Sequence, residues 1–414
     1  MKGVLVVMDG LGDLPSKQLD EKTPLESADT PNMDFLASRG EMGYMYPVKP
    51  EFTPESDEAI VSMFGNDLIS STRGQLEVRG TEINLMRGDL ALRVNFATID
   101  SIENGNILDR RAGRTLTTAE AEILSKAINN KIKLPCKFIF KPTIQHRAVL
   151  VFKGGFSDSI LGNDLTYIKG KTQSMNKIGF CKPLDDDENS SYTANIVNEF
   201  IEKVYEVLKN HPINLERKRK GLMPANYIFV RGAGTEIPKL KQYRTWLSIA
   251  YMPLEIGFSK TSGMSVFSFG YPKLKELDVY SNLYDGLKEV CDFSIKVLKK
   301  NYKKYDYAYI HIKETDLPGH DNKPIEKKRM IEYIDKTLFS FLREFAPINK
   351  IKVVVTADHS TPCRLKDHSA DPVPVLLYNN SPLRKRKFCE KEAMNGSLKE
   401  IIGKDLLKKV GFSR

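Results

Sequence analysis

The sequence has 414 residues, of which 41% are hydrophobic and 28% are charged, and its formal net charge at pH 7 is +10. This length and composition are typical of a globular protein with a large core, and they exclude extensive disorder. No stretch approaches the roughly 18 consecutive apolar residues of a membrane span, so we expect no membrane partner. The first apolar run meets Asp9 too early for a signal peptide, which favours a cytoplasmic protein.

Cysteine spacing and charge clusters limit the expected partners further. The five cysteines lie far apart and form no CxxC pair, so we expect reduced thiols, as in the cytoplasm. Basic clusters at 216–220, 296–305 and 383–387 belong to no known nucleic-acid motif, and we expect no nucleic-acid partner. The positive field favours a small anionic substrate instead. The oligomeric state is left open by the sequence.

The first segment predicts a strand followed by a helix. An apolar run ends at Asp9, which therefore lies at the carboxyl end of a predicted strand. Thr30 and Pro31 then supply the N-cap and the first position of a helix that Gly40 terminates.

The next polar stretch contains a candidate nucleophile. Ser56 precedes a helical-looking run, so it is predicted to lie near a helix N-terminus, where free amides favour a bound phosphate. Two alternatives stay open: Ser56 is only the N-cap of that helix, or Ser62 is the nucleophile.

Residues 91–187 differ from the rest, because alternating strand-like runs surround one helix at 117–130. We interpret them as an inserted α+β domain. Residues 1–90 and 188–414 are then expected to form the core, including strands within 225–234 and 248–253.

Strands are also predicted at 306–312, 351–356 and 373–378, and a long helical stretch begins at Pro324. Strands alternating with helices predict an α/β core with a mostly parallel sheet flanked by helices. Ligands of such folds bind beyond the carboxyl ends of the strands.

Three of the six histidines adjoin aspartates in these strand-end loops. Together with Asp9, the loops supply the carboxylates and imidazoles of Asp316, His320, Asp358, His359 and His368. Mixed oxygen and imidazole ligands suit Mn²⁺, Zn²⁺ and related ions, and two ions about 3.5–4 Å apart would use them all. The alternative is that these side chains are ordinary polar residues of turns.

Several longer stretches follow one another in a recognisable order. They are MDGLGDLP (8–15), KTPLESADTPNMDFLASRGEMGYMYPV (22–48), ALRVNFATID (91–100), DRRAGR (109–114), HRAVLV (146–151), RGAG (231–234), GHD (319–321) and TADHSTPCRLKDHSADPVPV (356–375). With these motifs the chain resembles the archaeal-type cofactor-independent phosphoglycerate mutases, which belong to the alkaline phosphatase superfamily. The resemblance covers most of the chain and implies an alkaline-phosphatase-like core.

The resemblance implies two divalent metal ions, most simply Mn²⁺, with Mg²⁺, Zn²⁺ or Co²⁺ as alternatives. One ion would be bound by Asp316, His320 and His368, and the other by Asp9, Ser56, Asp358 and His359. Ser56 would take the phosphate of 3-phosphoglycerate as phosphoserine and return it to the neighbouring hydroxyl, so no 2,3-bisphosphoglycerate is required.

Substrate carboxylate and phosphate need fixed donors, and the planar guanidinium of arginine matches both. The expected substrate-binding residues are Arg110, Arg111, Arg114, His146, Arg147, Arg231 and Lys260. The insertion is expected to close over the metal core and exclude water from the phosphoserine.

The chain departs from the family pattern beside the expected nucleophile. Glu55 stands where the pattern has glycine, Glu58 and Ile60 replace a threonine and a histidine, and Ile256 aligns with a lysine. These changes leave other functions open. The alternatives are another phosphoryl-transfer enzyme of the superfamily, homoserine-kinase-like or a phosphatase, or a low-activity paralogue that binds a metabolite.

Overall fold

The structure is a computed structural model that describes residues 1–70, 72–165, 167–168, 171–172, 176–275 and 277–413. The strands are β1 (Gly3–Met8), β2 (Gly40–Tyr46), β3 (Leu90–Ile99), β4 (Ile107–Asp109), β5 (Phe138–Pro142), β6 (Arg147–Phe152), β7 (Ile160–Leu161), β8 (Tyr167–Ile168), β9 (Lys171–Thr172), β10 (Lys182–Pro183), β11 (Tyr227–Gly234), β12 (Trp246–Ile249), β13 (Ser265–Phe267), β14 (Tyr307–Ile312), β15 (Lys352–Thr356), β16 (Val373–Tyr378) and β17 (Lys399–Ile402).

The helices are α1 (Pro24–Ser27), α2 (Pro31–Ser38), α3 (Ser56–Met63), α4 (Arg73–Arg79), α5 (Thr118–Lys131), α6 (Glu188–Leu208), α7 (Pro212–Arg219), α8 (Pro253–Thr261), α9 (Val279–Asn301), α10 (Asp316–His320), α11 (Pro324–Ile334), α12 (Ser340–Asn349), α13 (Glu390–Met394) and α14 (Leu406–Lys409). A π-helical segment, Asp335–Phe339, joins α11 to α12. Single 3₁₀ turns lie at Lys17–Leu19, Leu68–Ser70, Ala112–Arg114 and Gly403–Asp405.

Eight strands form the larger sheet, called the core sheet below, in the order β13-β12-β14-β1-β15-β16-β2-β17. Strand β1 pairs in parallel with both β14 and β15, whereas β16 is antiparallel to β15 and β2. Every residue of β1 and β14 is buried, in agreement with their mostly apolar sequences. The predicted α/β fold with a mostly parallel sheet flanked by helices is therefore confirmed.

The order of the three central strands positions the candidate ligands. Because β14, β1 and β15 are adjacent and parallel, their carboxyl ends meet at one edge of the core sheet. The segments that follow these strands begin at Lys313, Asp9 and Ala357, respectively.

A second sheet has the order β11-β3-β6-β5, with β4 paired to β3. Helices α5 and α6 cover it, and the apolar residues of both helices and the sheet form one buried cluster that extends from Leu90 to Val230. The expected domain boundary at 187 is wrong, because β11 pairs with β3 and α6 packs on the same cluster. The stretch 225–234, expected in the core, therefore belongs to the second sheet.

The predicted helix starts agree with the structure. Helix α2 has Thr30 as its N-cap and Pro31 at its first position, and the helix predicted at 117–130 is α5. Among the described residues, no helix combines the length and the apolar character that crossing a membrane requires. All five cysteines are free.

Candidate active site

Two groups of candidate ligands lie at the carboxyl edge of the core sheet. The first comprises Asp9, Asp358 and His359, and the second comprises Asp316, His320 and His368. Within each group, one ligand atom per residue lies within 4.8 Å of the others. The structure thus brings together the six carboxylates and imidazoles that the sequence singled out, in two sets of three.

The carboxylate of Asp358 is oriented by backbone amides. Its Oδ1 accepts hydrogen bonds from the amides of Gly10 at 3.2 Å and His359 at 3.1 Å. Its Oδ2 is buried and makes no hydrogen bond to any described residue; Oδ1 of Asp9 makes none either, although Nε2 of His359 lies 3.0 Å away. Buried oxygen atoms without hydrogen-bond donors fit a bound cation, because leaving them unpaired is costly.

Backbone carbonyl groups orient both histidines of the second group. Nδ1 of His320 lies 3.1 Å from the carbonyl oxygen of Lys366, and Nδ1 of His368 lies 3.0 Å from that of Pro54. A carbonyl accepts only, so Nδ1 carries the proton in both rings and Nε2 faces the carboxylate of Asp316. Such outer contacts are typical of histidines that bind metal through the other nitrogen. The residues present therefore fit a pair of divalent ions.

The charges of the two groups depend on one another. Burial raises the pKa of Asp316 and Asp358, but the neighbouring histidines outweigh burial and hold both pKa values well below the usual range. Burial lowers the pKa of His359, whereas Asp358 and Asp9 raise it to about 9. Burial and His359 lower the pKa of His368 to about 3. Asp316 and Asp358 are thus ionised and attract cations, whereas burial and the neighbouring Asp358 raise the pKa of Asp9.

Ser56 is the first residue of α3, and its hydroxyl faces the first group. Glu55, not Ser56, occupies the N-cap position, so the hydroxyl is not used for capping. Ser56 Oγ lies 3.4 Å from Nε2 of His359 and 3.2 Å from Nζ of Lys313. Ser62, the competing nucleophile, is buried on the same helix and does not line the cavity.

Lys313 was not predicted, although it directly follows β14. Its ammonium contacts the carboxylate of Asp9 and lies 3.0 Å from Oε1 of Glu255. Burial opposes its charge, but Asp9 and Glu255 raise its pKa above the usual value. A lysine in a strand-end loop normally predicts a solvated side chain, and only its position next to Asp9 in the parallel sheet indicates otherwise.

A cavity of about 900 Å³ separates this edge of the core sheet from the second sheet. Five of the expected arginines line it, namely Arg110, Arg111, Arg114, Arg147 and Arg231. Arg110 pairs with Asp164 and lies over the ring of Phe229, and Arg114 lies 2.5 Å from Oδ1 of Asp321.

Arg111 and Arg147 differ from the other expected arginines. In the described ranges neither forms an ion pair, and the only hydrogen bond from the Arg147 guanidinium goes to the sulfur of Met252 at 3.8 Å. Burial and Arg114 lower the pKa of Arg111 to about 10, so it remains charged at neutral pH. These two guanidinium groups are the best candidates for an anionic ligand.

Two expected substrate-binding residues lie elsewhere. Lys260 is exposed near the end of α8 and does not line the cavity, because its position on that helix points it to solvent. His146 is buried beneath the cavity wall, and burial and Arg147 hold its pKa well below the usual range. Neither residue lines the cavity, so substrate contact by either one stays a prediction.

The charge of Glu55 is neutralised by arginines. Its Oε2 lies 2.8 Å from Arg73 NH1 and 3.0 Å from Arg231 NH2, and these guanidiniums hold its pKa well below the usual range despite burial. Glu58 accepts a hydrogen bond from the Glu55 amide at 3.1 Å and caps α3. Neither Arg73 nor this pairing was predicted, because the partners come from different sheets and helices.

Comparison with known proteins shows the family to which this chain belongs. Residues 37–214 match the family model described as 2,3-bisphosphoglycerate-independent phosphoglycerate mutase, and residues 275–413 match the Metalloenzyme superfamily. A protein of that first name from Thermococcus kodakarensis is 38% identical over 416 residues, which cover 98% of this chain and 95% of the relative. The chain belongs to the 2,3-bisphosphoglycerate-independent phosphoglycerate mutase family.

Other similar proteins have comparable coverage. The phosphoglycerate mutase of Thermococcus gammatolerans is 40% identical and covers 98% of this chain and 95% of its own length. A solved structure from Pyrococcus horikoshii matches with a TM-score of 0.73 at 30% identity, covering 100% of this chain and 98% of that chain. The cofactor-independent phosphoglycerate mutase of Thermoplasma acidophilum matches with a TM-score of 0.55 at 28% identity, covering 99% and 98%.

Within the family pattern, the unusual Glu55 is now explained. The position expects glycine, yet the added carboxylate lies between two arginines and creates no unpaired charge. The metalloenzyme match extends over the segments that carry Asp316, His320, Asp358, His359 and His368. The side chains expected to bind metal in these segments are therefore all present beside the cavity wall that carries Glu55.

Proposed function

We propose that the chain interconverts 3-phosphoglycerate and 2-phosphoglycerate through a phosphoserine at Ser56, without 2,3-bisphosphoglycerate. The observation that carries this proposal is the Ser56 hydroxyl, which lies between a buried ligand group and an arginine-lined cavity. The names of the curated relatives support the same activity. The five free cysteines support a cytoplasmic location.

Two divalent ions complete the proposed site, and we assign Mn²⁺ with Mg²⁺, Zn²⁺ or Co²⁺ as alternatives. The residues that would hold one ion are Asp316, His320 and His368, and those for the other are Asp9, Ser56, Asp358 and His359. When bound, such ions lower the pKa of a coordinated hydroxyl and neutralise charge on phosphoryl oxygens.

Ser56 acts as the nucleophile. Its oxygen forms a bond to phosphorus while the bond from phosphorus to O3 of the substrate breaks, and the hydroxyl proton passes to O3. The glycerate then presents O2, which takes the phosphoryl group from Ser56 by the same exchange in reverse. The ammonium of Lys313, 3.2 Å from Ser56 Oγ, stabilises negative charge on that oxygen during both steps.

Arg111 and Arg147 bind the substrate carboxylate, because both line the cavity and neither forms an ion pair within the described part of the chain. This contact retains the glycerate between the two phosphoryl transfers. The second sheet and its helices cap the cavity and exclude water, which would otherwise hydrolyse the phosphoserine. We therefore assign a capping role to this unit.

The test is phosphorus NMR of 3-phosphoglycerate incubated with Mn²⁺-loaded protein and quenched with chelator. We expect the 2-phosphoglycerate resonance to appear, and to be absent with Ser56→Ala and with chelated protein. Ser62→Ala is the matched control on the same helix and should retain turnover. Release of inorganic phosphate alone would indicate a hydrolase, and an unchanged spectrum with every sample would refute phosphoryl transfer from this substrate.

A further inference from the structure

The hydroxyl of Thr361 lies between the two ligand groups. Its Oγ1 is 2.7 Å from Oδ1 of Asp316 in one group and 3.0 Å from Nδ1 of His359 in the other. Thr361 is fully buried, so water does not compete for either contact. One side chain therefore connects residues that would bind different metal ions.

The chemistry of the three groups fixes the direction of these hydrogen bonds. An ionised carboxylate only accepts, and a hydroxyl has a single hydrogen to donate. Thr361 Oγ1 donates its hydrogen to Asp316 Oδ1, so Nδ1 of His359 must donate its own hydrogen to Thr361 Oγ1. The other ring nitrogen, Nε2, then points at Asp9 Oδ1 at 3.0 Å and Ser56 Oγ at 3.4 Å.

The fold, and not the ligand groups, sets the position of this hydroxyl. Gly10 has φ of +61°, and a Cβ there would lie 2.5 Å from Thr361 Oγ1, so glycine allows the close approach. The backbone amide of Thr361 donates to Gly12 O at 3.0 Å, and its carbonyl accepts from Lys327 Nζ at 3.0 Å. Lys327 is itself buried and lies 2.8 Å from Oδ2 of Asp13.

We propose that Thr361 is a positioning residue that couples the two metal positions. Its hydroxyl accepts a hydrogen bond from Nδ1 of His359, which leaves Nε2 free to bind metal, and donates a hydrogen bond to Asp316. The inference rests on the metal pair of the proposed function. Metal binding at either position then orders a ligand of the other, and the effect is reciprocal because it is a coupling of binding free energies.

The matched variants are Thr361→Val, which keeps the shape without the hydroxyl, and Thr361→Ser, which keeps the hydroxyl. Calorimetric titration of the folded protein with Zn²⁺ should give two bound ions in the wild type. In Thr361→Val the affinity at one or both positions should fall by about 10- to 100-fold, as for other residues that orient metal ligands. Thr361→Ser should bind within about threefold of the wild type, since it retains the hydrogen bonds.

A second measurement does not depend on any variant. In the Zn²⁺-loaded wild type, ¹⁵N NMR of His359 should show a protonated Nδ1, and the Nδ1–H signal should shift in Thr361→Val but not in Thr361→Ser. A protonated Nε2 in the wild type, or Thr361→Val binding both ions with wild-type affinity, overturns the proposal.

Different experimental outcomes would refute the proposed mutase activity and the proposed role of Thr361. A protein that binds two coupled ions without converting 3-phosphoglycerate would refute the mutase activity alone. A fully active Thr361→Val enzyme with unchanged Zn²⁺ affinities would refute the role of Thr361 alone.

Discussion

Side chains from the core sheet and from the second sheet face the same cavity, but they are held there in different ways. The candidate ligands of the core sheet follow adjacent parallel strands, and backbone groups orient them, as the two amides on Asp358 do. The arginines of the second sheet are long side chains whose availability depends on nearby acids. Arg110 is paired with Asp164, whereas Arg111 has no ion-pair partner among the described residues.

This difference predicts how single substitutions in the two regions affect metal and substrate binding. Strand order determines where each candidate ligand lies at the core sheet. Replacing such a side chain therefore removes a ligand that no neighbouring residue can supply. At the second sheet, removing or adding one acidic side chain can break or form an ion pair with an arginine. Such a change alters which anion the cavity binds. The following predictions contrast the two regions, beginning with the largest expected effect.

The same substitution should have very different effects in the two regions. Asp316→Asn should lower kcat/KM by about a thousandfold, since losing a metal ligand removes several kcal/mol of charge stabilisation and each 1.4 kcal/mol is tenfold. Asp164→Asn, which removes a carboxylate from Arg110, should lower it by less than about tenfold. Steady-state kinetics with 3-phosphoglycerate measures both, and equal losses would contradict the contrast.

Removing the charge of Glu55 should destabilise the protein and create an anion site. Glu55→Gln removes the carboxylate between Arg73 and Arg231, although Arg73 keeps Asp57 and Glu77, so the loss of charge-assisted hydrogen bonds should cost about 2 kcal/mol of unfolding free energy. Sulfate should restore more stability to this variant than to the wild type, because an anion that binds only the folded state stabilises it.

Urea denaturation with and without sulfate measures the effect of Glu55→Gln. Asp321→Asn is the matched control, because it removes one cavity carboxylate that contacts Arg114 and neither Arg73 nor Arg231. A sulfate response equal in Glu55→Gln and the wild type would show that the arginine pair does not bind anions.

The unpaired arginines should matter more for substrate affinity than the paired one. Arg111→Met and Arg147→Met should each raise KM by about 10- to 100-fold, because a charge-assisted hydrogen bond contributes roughly 1.5–3 kcal/mol. Arg110→Met, the matched control, should raise KM by less than about fivefold. The assignment would be wrong if Arg110→Met had the larger effect on KM.

The smallest expected effect concerns the pH dependence of stability. Burial and Arg147 keep the pKa of His146 well below its ordinary value of 6.5, so the unfolded chain binds a proton there that the folded chain does not. Stability therefore falls as pH decreases, by about 1 kcal/mol between pH 6.5 and 5.5 for this residue.

Comparison with His146→Gln isolates this contribution. Urea denaturation at both pH values should show a smaller loss for the variant than for the wild type. An identical loss would mean that His146 titrates normally. The pKa of His359, in the loop after β15, has the opposite shift, to about 9, because the carboxylates of Asp358 and Asp9 lie beside it.

Much of the core was predictable because its signals are local. Short apolar runs that end at Asp9 and before Asp358 predicted buried parallel strands, and capping residues such as Thr30 predicted the start of α2. The concentration of histidines and aspartates in strand-end loops predicted metal ligands, and the structure brings them together in two groups.

The rest was not predictable from local signals. The domain boundary was wrong because strand pairing between β3 and β11 joins residues more than a hundred positions apart along the chain. Lys260 was expected to bind substrate because it stands where the family pattern has an arginine, but it is exposed on α8. Lys313 was missed because its partners, Asp9 and Glu255, are distant in the sequence.

The sequence by itself determined which strands are buried, where helices begin, and which residue types gather behind the strands, because these depend on spacing over a few residues. Only the tertiary structure decided which of these side chains share a site and which charges are already paired. Glu55 between Arg73 and Arg231, and Thr361 between Asp316 and His359, depend on contacts across different elements. Such contacts are set by strand order and packing, which local spacing does not specify.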